Sequence, residues 1–229
     1  TIDRLRLIKY LGTLDKESKR VQTIFAAFIA TICFSSCDTA SFPYYLTQNK
    51  INVALVIDVS GSMSGTSINN ARLAAVEIVE MLTKEDTLSV VLFNNSATVL
   101  IPAGKVSDAV SIRETIMGIQ SSGGTEASAG LVSGYAEIRK NSDEYEANAC
   151  ILICDGDISS NAPALAAAAL ETGIRTSGVA IGSGVNSIAL KNVAESGDGS
   201  VYEVVNADDI QEAFVTAVQK FLFPVEITK

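Results

Sequence analysis

From residue 51 onward, short runs rich in β-branched residues alternate with segments whose apolar residues recur at helical spacing. The strand-like runs fall at 51–59, 86–95, 97–104, 148–154, 174–182 and 200–206. The helix-like segments fall at 67–82, 106–119, 126–141, 163–173, 187–199 and 207–222. Strands that alternate with helices form a mostly parallel sheet with helices on both faces. The pattern therefore predicts a doubly wound, six-stranded α/β domain over residues 51–222.

One connection departs from this alternation. The second and third strand-like runs follow each other directly, with only a short polar turn around Asn94 and Asn95 between them. Because a tight turn joins antiparallel neighbours, the sequence predicts one antiparallel strand at an edge of the sheet. Ser107 or Asp108 is predicted to cap the helix that follows, and Gly173 is predicted to end the helix at 163–173.

The charge balance excludes several classes of function. The chain carries 17 Lys and Arg against 26 Asp and Glu, a net charge of −9, whereas a nucleic-acid-binding domain presents a basic face. It contains no histidine, which removes Ser-His and Cys-His catalysis and the commonest zinc ligand. We therefore expect neither nucleic-acid binding nor histidine-dependent hydrolysis.

Two of the four cysteines, Cys150 and Cys154, lie within one strand-like run. Extended residues rise about 3.3 Å each, so their Cα atoms would be roughly 13 Å apart, which is too far for a disulfide. The cysteines show no zinc-binding spacing. Both are therefore predicted to be small buried side chains.

The N-terminal part of the chain differs in composition from the rest. A basic segment at 1–20 precedes an uncharged stretch of seventeen residues at 21–37, and residues 38–50 form a short linker. Spanning a bilayer takes about 17–25 apolar residues, so this stretch is at the lower limit. The basic residues before it predict a cytoplasmic N-terminus and an extracytoplasmic domain. We expect a hydrophobic helix at 21–37 that anchors the domain in a membrane, and a C-terminal tail at 223–229.

Two other interpretations of residues 21–37 stay open. The stretch ends in the letters FSSC before Asp38, which resembles a loose bacterial lipoprotein cleavage site with Cys37 as the anchored residue. The stretch is also compatible with a buried helix of a soluble protein. The retained anchor is the favoured interpretation.

Oxygen-bearing side chains occur in three segments that could converge at the carboxyl ends of the predicted strands. They are Asp58, Ser60 and Ser62 after the first strand, Thr125 after a glycine-rich turn, and Asp155 after the fourth strand. Open α/β sheets bind ligands beyond the carboxyl ends of their strands, where the strand order reverses. Two carboxylates and three hydroxyls, without nitrogen or sulfur, suit a hard divalent cation, with Mg²⁺ first and Mn²⁺ or Ca²⁺ as alternatives.

These side chains also have ordinary structural interpretations. Ser60 or Ser62 alone would cap the helix that follows, and Thr125 alone would cap the helix at 126–141, with Glu126 favourable in its first turn. An aspartate followed by glycine, as at position 155, is a common turn. The occurrence of all three segments at strand ends favours the metal site.

A phosphate-binding loop at 61–67 is a further alternative. This stretch lacks the lysine of the GxxxxGK[ST] motif, and Met63 and Ser64 do not supply its charge. The phosphate loop is therefore disfavoured.

The same residues carry a resemblance to a known family. Residues 51–222 resemble a von Willebrand factor A-type domain, whose metal-ion-dependent adhesion site combines a DxSxS motif, a threonine in a later loop and an aspartate after the fourth strand. The sequence shows DVSGS at 58–62, GGT at 123–125 and CDGD at 154–157. The resemblance implies that the metal is held by Asp58, Ser60, Ser62, Thr125 and Asp155. Asp157 is an additional candidate, because the family has one aspartate where this chain has two.

The resemblance also implies a function. It predicts a metal-dependent protein-binding module for adhesion or complex assembly, which binds an Asp or Glu of a protein partner and has no enzymatic activity. One alternative is a structural subunit of a membrane complex whose ion only joins the loops. The other is a Mg²⁺-dependent hydrolase, which is disfavoured because no Lys or Arg lies near the motif to hold a phosphate.

Overall fold

The computed structural model describes residues 50–145, 147–156, 158–159, 161–182 and 187–204. The hydrophobic helix predicted at 21–37, the helix predicted at 207–222 and the candidate ligand Asp157 lie outside these residues. Among the residues that are described, no helix has the length and apolar character needed to cross a bilayer.

The strands of the domain agree closely with the predicted runs. Six strands form one sheet: β1 (Ile51–Asp58), β2 (Thr87–Phe93), β3 (Ala97–Lys105), β4 (Ala147–Cys154), β5 (Ile174–Ile181) and β6 (Val201–Val204). The α-helices in the described part of the chain are α1 (Thr66–Met81), α2 (Ala109–Met117), α3 (Ala127–Arg139), α4 (Ala162–Leu170) and α5 (Ser187–Ser196). Short 3₁₀ turns occur at Gly61–Met63 and Ser142–Glu144.

The strand order is β3-β2-β1-β4-β5-β6. All neighbouring strands are parallel except β2 and β3, which form an antiparallel hairpin and place β3 at one edge. This confirms the predicted mostly parallel sheet with one antiparallel strand. The chain builds outward from β1 through β2 to β3, then returns to the other side of β1 with β4. The order therefore reverses between β1 and β4, where α/β sheets bind their ligands.

The central strand β1 is buried over all eight of its residues. Its alternate residues Ala54 and Val56 share a core with α3, α4 and α5, whereas Val53, Leu55 and Ile57 point to the opposite side. That second side is also buried. Helices α1 and α2 contact each other, and α1 contacts β5. A strand covered on both faces is expected to be continuously apolar, as the sequence INVALVI is.

Helix α3 lies close to β1 because two of its residues are glycines. A Cβ atom at Gly134 would lie 2.5 Å from Cγ2 of Val56, well inside contact distance. One turn earlier, a Cβ at Gly130 would lie 2.7 Å from the ring of Phe93. This close approach places the start of α3 beside the carboxyl ends of β1 and β2.

Several local predictions are confirmed. The carboxylate of Asp108 caps α2 by accepting a hydrogen bond from the amide of Ser111 at 3.0 Å. Gly173 adopts a φ of +78° after α4, as a helix-ending glycine does. Cys150 and Cys154 are both buried, and burial raises the pKa of the Cys150 thiol above its ordinary range.

Candidate metal centre

The carboxyl end of β1 carries a buried carboxylate. Asp58 is fully buried at the last position of the strand, and its Oδ1 accepts a hydrogen bond of 2.7 Å from the amide of Ser60. This bond turns the chain sharply as it leaves the sheet. The next residue, Val59, stays attached to the sheet because its amide donates to the carbonyl of Phe93 at 2.9 Å.

Ser60 and Ser62 place their hydroxyl oxygens side by side. The two Oγ atoms are 3.0 Å apart, with Ser60 buried and Ser62 exposed. Neither serine caps the following helix: Ser60 makes no side-chain cap bond at the 3₁₀ turn, and α1 begins after Gly65. The capping interpretation of these serines is therefore wrong, and both hydroxyls face each other beside Asp58.

The segment 121–126, called here the threonine loop, is bonded directly to the loop that follows β1. The amide of Gly61 donates to the carbonyl of Gly123 at 2.9 Å, and the amide of Ser122 donates to the carbonyl of Val59 at 2.7 Å. Gly123 has a φ of +85°, which favours glycine. These backbone bonds bring the loop of Thr125 to the end of β1.

The turn between β2 and β3 holds the threonine loop from its other side. Asn94 Nδ2 donates to the carbonyl of Ser122 at 3.0 Å, and the carbonyl of Asn94 accepts from the amide of Glu126 at 2.7 Å. Asn95 Oδ1 accepts from the amide of Gly124. Sequence reasoning recognised Asn94 and Asn95 only as turn residues. Their position at the carboxyl end of a parallel strand was the signal that would have placed them at the site.

Glu126, and not Thr125, caps helix α3. The carboxylate of Glu126 accepts from the amide of Ser128 at 3.2 Å, which corrects the capping interpretation of Thr125. The hydroxyl of Ser159 also donates to Glu126 at 2.7 Å. These hydrogen bonds, that from Ser159 first, lower the pKa of the Glu126 carboxyl and favour its ionised form.

Asp155 follows β4 directly and is half-buried. Because β4 pairs with β1 in parallel, with Ile153 beside Ile57, Asp155 emerges at the same edge of the sheet as Asp58. Ser159, in the described part of the loop that follows β4, is bonded to Glu126 at the start of α3. The candidate residues of three separate segments thus emerge at one edge, around the point where the strand order reverses.

The donor atoms at this edge are all oxygens. Within the described residues there is no cluster of three or more His, Cys, Asp or Glu side chains that would form a metal site from those residue types alone. A cation bound here would rely on serine and threonine hydroxyls as well as on carboxylates. Such a mixed oxygen set fits a hard divalent cation and does not fit a softer metal that needs nitrogen or sulfur.

The site loops carry no compensating positive charge. The loops at 59–65, 94–96, 121–126 and 155–161 contain no lysine or arginine. Residues 51–229 as a whole carry ten basic against twenty-two acidic residues. An anionic ligand would therefore meet a negative surface unless a bound cation changed the local charge.

The doubly wound, mostly parallel sheet, with the candidate residues at its carboxyl edge, defines an α/β domain. The family model for the von Willebrand factor type A domain matches residues 52–216. The chain belongs to this family, whose domains mediate protein–protein interactions.

Similar proteins include an uncharacterized protein of Synechocystis sp., which is 26% identical over 174 residues. The match covers 74% of this chain and 41% of that relative, so the chain spans less than half of the relative's length.

Solved structures that share the fold include the following two. An aerotolerance-related membrane protein of Bacteroides fragilis has a TM-score of 0.65 at 18% identity, and the match covers 74% of this chain and 99% of that one. Proximal thread matrix protein 1 of the mussel byssus was solved with zinc in its metal-ion-dependent adhesion site (MIDAS) motif, and it has a TM-score of 0.65 at 19% identity. That match covers 76% of this chain and 46% of the mussel protein.

Proposed function

We propose that this domain binds a protein partner through a divalent cation held at the carboxyl edge of its sheet. The proposed ligands are Asp58, Ser60, Ser62, Thr125 and Asp155, with Asp157 as an additional candidate. The observation that carries the proposal is the pair of hydroxyl oxygens of Ser60 and Ser62, which lie 3.0 Å apart beside the buried Asp58 and do not cap the next helix.

The chain's own residues prepare the site for a cation. Asp58 supplies buried negative charge, and the amide of Ser60 fixes one of its oxygens. The backbone bonds to Gly123 and Ser122 hold the threonine loop against the loop that follows β1. When bound, a divalent cation supplies an electrophilic position for a carboxylate of the partner. Hydroxyls add no charge, so two carboxylates only balance the charge of the cation, and an open coordination position on it stays available to a further Asp or Glu.

The acidic domain surface shapes the kind of partner that fits. A partner that presents one Asp or Glu is repelled by the remaining carboxylates of the domain. Basic residues around that carboxylate would reduce the repulsion, and salt would weaken their contribution because exposed charges are screened beyond about 10 Å at 0.1 M. We therefore propose a partner whose single coordinating carboxylate is surrounded by basic residues.

Mg²⁺ is the proposed ion, with Mn²⁺ or Ca²⁺ as alternatives. The all-oxygen donor set supports a hard cation. The mussel protein with a zinc-occupied MIDAS motif supports metal binding at this position of the fold without identifying the ion for this chain.

We also propose that residues 21–37 hold the protein in a membrane, with the domain on the extracytoplasmic side. The uncharged stretch after Lys19 and Arg20 supports this, as does the similarity to a membrane protein of Bacteroides fragilis. A lipoprotein anchored at Cys37 is the alternative form of attachment.

A capture experiment followed by a binding measurement tests the proposed function. Full-length protein is used to capture partners from a detergent extract, in Mg²⁺ and in EDTA, and affinity for the captured partner is then measured. Wild type should bind in Mg²⁺ and not in EDTA, and Thr125→Ala should bind poorly in both. Thr98→Ala, at an exposed position of β3, is the matched control and should behave as wild type. If wild type and Thr125→Ala bind the partner with equal affinity in both buffers, the ion does not take part in partner binding and has a structural role at most.

A further inference from the structure

The loop that follows β4 is tied to the start of α3 through side chains. Ser159 Oγ donates to Glu126 Oε1 at 2.7 Å, and Ser128 Oγ donates to Asn161 Oδ1. The loop that follows β1 is tied to the threonine loop by backbone hydrogen bonds and by one side-chain contact, between the hydroxyls of Ser64 and Ser121 at 3.2 Å. A side-chain link can be removed by one substitution without the loss of any hydrogen bond between two backbone groups.

Glu126 stands between two segments that carry proposed ligands. It follows Thr125 directly in the chain, and Ser159 lies four residues after Asp155. The same oxygen of Glu126 accepts from the amide of Ser128 at 3.2 Å and from the hydroxyl of Ser159 at 2.7 Å. One carboxylate therefore caps α3 and reaches the loop of Asp155.

We propose that Glu126 is a positioning residue of the metal centre, which holds the segments of Thr125 and Asp155 together through its hydrogen bond to Ser159. The inference rests on the proposed function, because it assumes a cation at those residues. Glu126 does not itself bind the cation in this proposal. Its role is to reduce the freedom of two segments that must both reach the same ion. Residues that hydrogen-bond the ligands themselves typically affect metal affinity about 10–100-fold, and we expect the lower end of that range for a link between the segments.

The competing explanation is that Glu126 acts only through its negative charge. A nearby carboxylate attracts a cation whether or not it holds a loop in place. Three substitutions separate these effects. Ser159→Ala removes the link and keeps the charge, Glu126→Gln removes the charge and keeps an oxygen that accepts both hydrogen bonds, and Glu126→Ala removes both.

The test is a titration of the full-length chain in detergent with Mn²⁺, with free Mn²⁺ measured by electron paramagnetic resonance. Ser159→Ala and Glu126→Ala should each weaken Mn²⁺ binding about tenfold. Glu126→Gln should bind as wild type does. The double variant Ser159→Ala/Glu126→Ala should bind no more weakly than Glu126→Ala, because the two changes break the same link. Ser107→Ala and Glu171→Gln, both exposed and outside the site loops, are matched controls that should leave affinity unchanged.

Thermal unfolding of the metal-free variants completes the test. Ser159→Ala should unfold at the wild-type temperature, which separates positioning from a general loss of stability. Unchanged Mn²⁺ affinity in Ser159→Ala would overturn the inference. It would also be overturned if Glu126→Gln lost as much affinity as Glu126→Ala while Ser159→Ala lost none. Wild type without Mn²⁺ affinity would overturn the proposed function itself, and the inference with it.

Discussion

The hydroxyl oxygens of Ser60 and Ser62 lie 3.0 Å apart at the carboxyl end of the central strand. Two residues apart in the chain, they are brought together by the 3₁₀ turn at Gly61–Met63 and by the bond from the amide of Ser60 to Asp58. An extended chain would keep their Cα atoms about 6.6 Å apart along the strand direction. The turn at the end of β1 therefore builds a compact set of oxygens from three alternate positions.

Replacing Asp58 tests the metal site directly. We expect Asp58→Ala to weaken Mg²⁺ and Mn²⁺ binding by more than about 100-fold, because it removes a buried charged oxygen donor. The fold should persist, since the residue lies at a strand end. Isothermal calorimetry and circular dichroism measure the two effects. Asp143→Ala, at an exposed position before β4, is the control, and unchanged affinity in Asp58→Ala would contradict the assignment.

Replacing Gly123 tests the threonine loop. A Cβ at this position would lie 2.6 Å from Asn95 Oδ1, and the φ of +85° disfavours any other residue. We expect Gly123→Ala to displace the loop and to weaken both metal binding and stability, the latter by about 1–2 kcal/mol from the backbone alone. Calorimetry with Mn²⁺ and denaturant unfolding measure the two losses.

Gly173→Ala is the matched control for this prediction. Gly173 has a similar φ of +78°, but a Cβ there meets no atom within 4 Å, and the residue follows α4 outside the site loops. It should lose stability without losing metal affinity. Equal metal affinity in the two variants would show that the threonine loop does not position a ligand.

We expect Glu137 to contribute to the stability of the fold in a pH-dependent way. This buried residue of α3 accepts hydrogen bonds from the amide of Ala103 in β3 at 2.9 Å and from Lys140 Nζ at 2.6 and 2.7 Å. Burial raises the pKa of the Glu137 carboxyl, but Lys140 and the Ala103 amide outweigh it, so the pKa falls below its ordinary value. A carboxyl with a lowered pKa stabilises the fold above its unfolded pKa of about 4.3, and this stabilisation is lost as the pH falls through the folded pKa.

We therefore expect Glu137→Ala to lower the free energy of unfolding at pH 7 by about 1–3 kcal/mol, because the amide of Ala103 loses its acceptor. The difference from wild type should shrink as the pH falls below about 4. Urea unfolding over a range of pH values measures it, with exposed Glu144→Ala as the control. A difference that stays constant down to pH 3 would show that the charge of Glu137 contributes nothing.

The predicted membrane anchor at 21–37 is tested by carbonate extraction of membranes from cells that express the chain. The wild-type protein should stay in the membrane pellet. Phe28→Lys places a charge near the middle of the stretch, which raises the free energy of membrane insertion by about 2.5–3.5 kcal/mol. This variant should be released from the membrane, whereas the control Phe28→Leu should stay in the pellet. Release of the intact wild type would exclude a spanning helix. A mature N-terminus at Cys37 would establish the lipoprotein form instead.

The order of strands and helices from 51 to 204 could be predicted because it depends on local patterns. A continuous apolar strand such as INVALVI requires cover on both faces, and helices with apolar residues at helical spacing supply it. The antiparallel hairpin followed from its short turn. Asp58, Ser60, Ser62 and Asp155 could be proposed as ligands for the same reason, since the end of a buried strand is visible in the sequence, whereas Thr125 was proposed from its glycine-rich turn.

The contacts that hold the candidate site together could not be predicted in this way. The sequence by itself determined that Asp58, Ser60 and Ser62 follow a buried strand. It left open whether Ser60 and Thr125 cap helices, and only the tertiary structure decided that they do not. It assigned Asn94 only to a turn and Glu126 only to the first turn of a helix. Glu126 meets Ser159 across 33 residues of chain, and such a pairing depends on which strands become neighbours and in what register, which no local pattern of residues encodes.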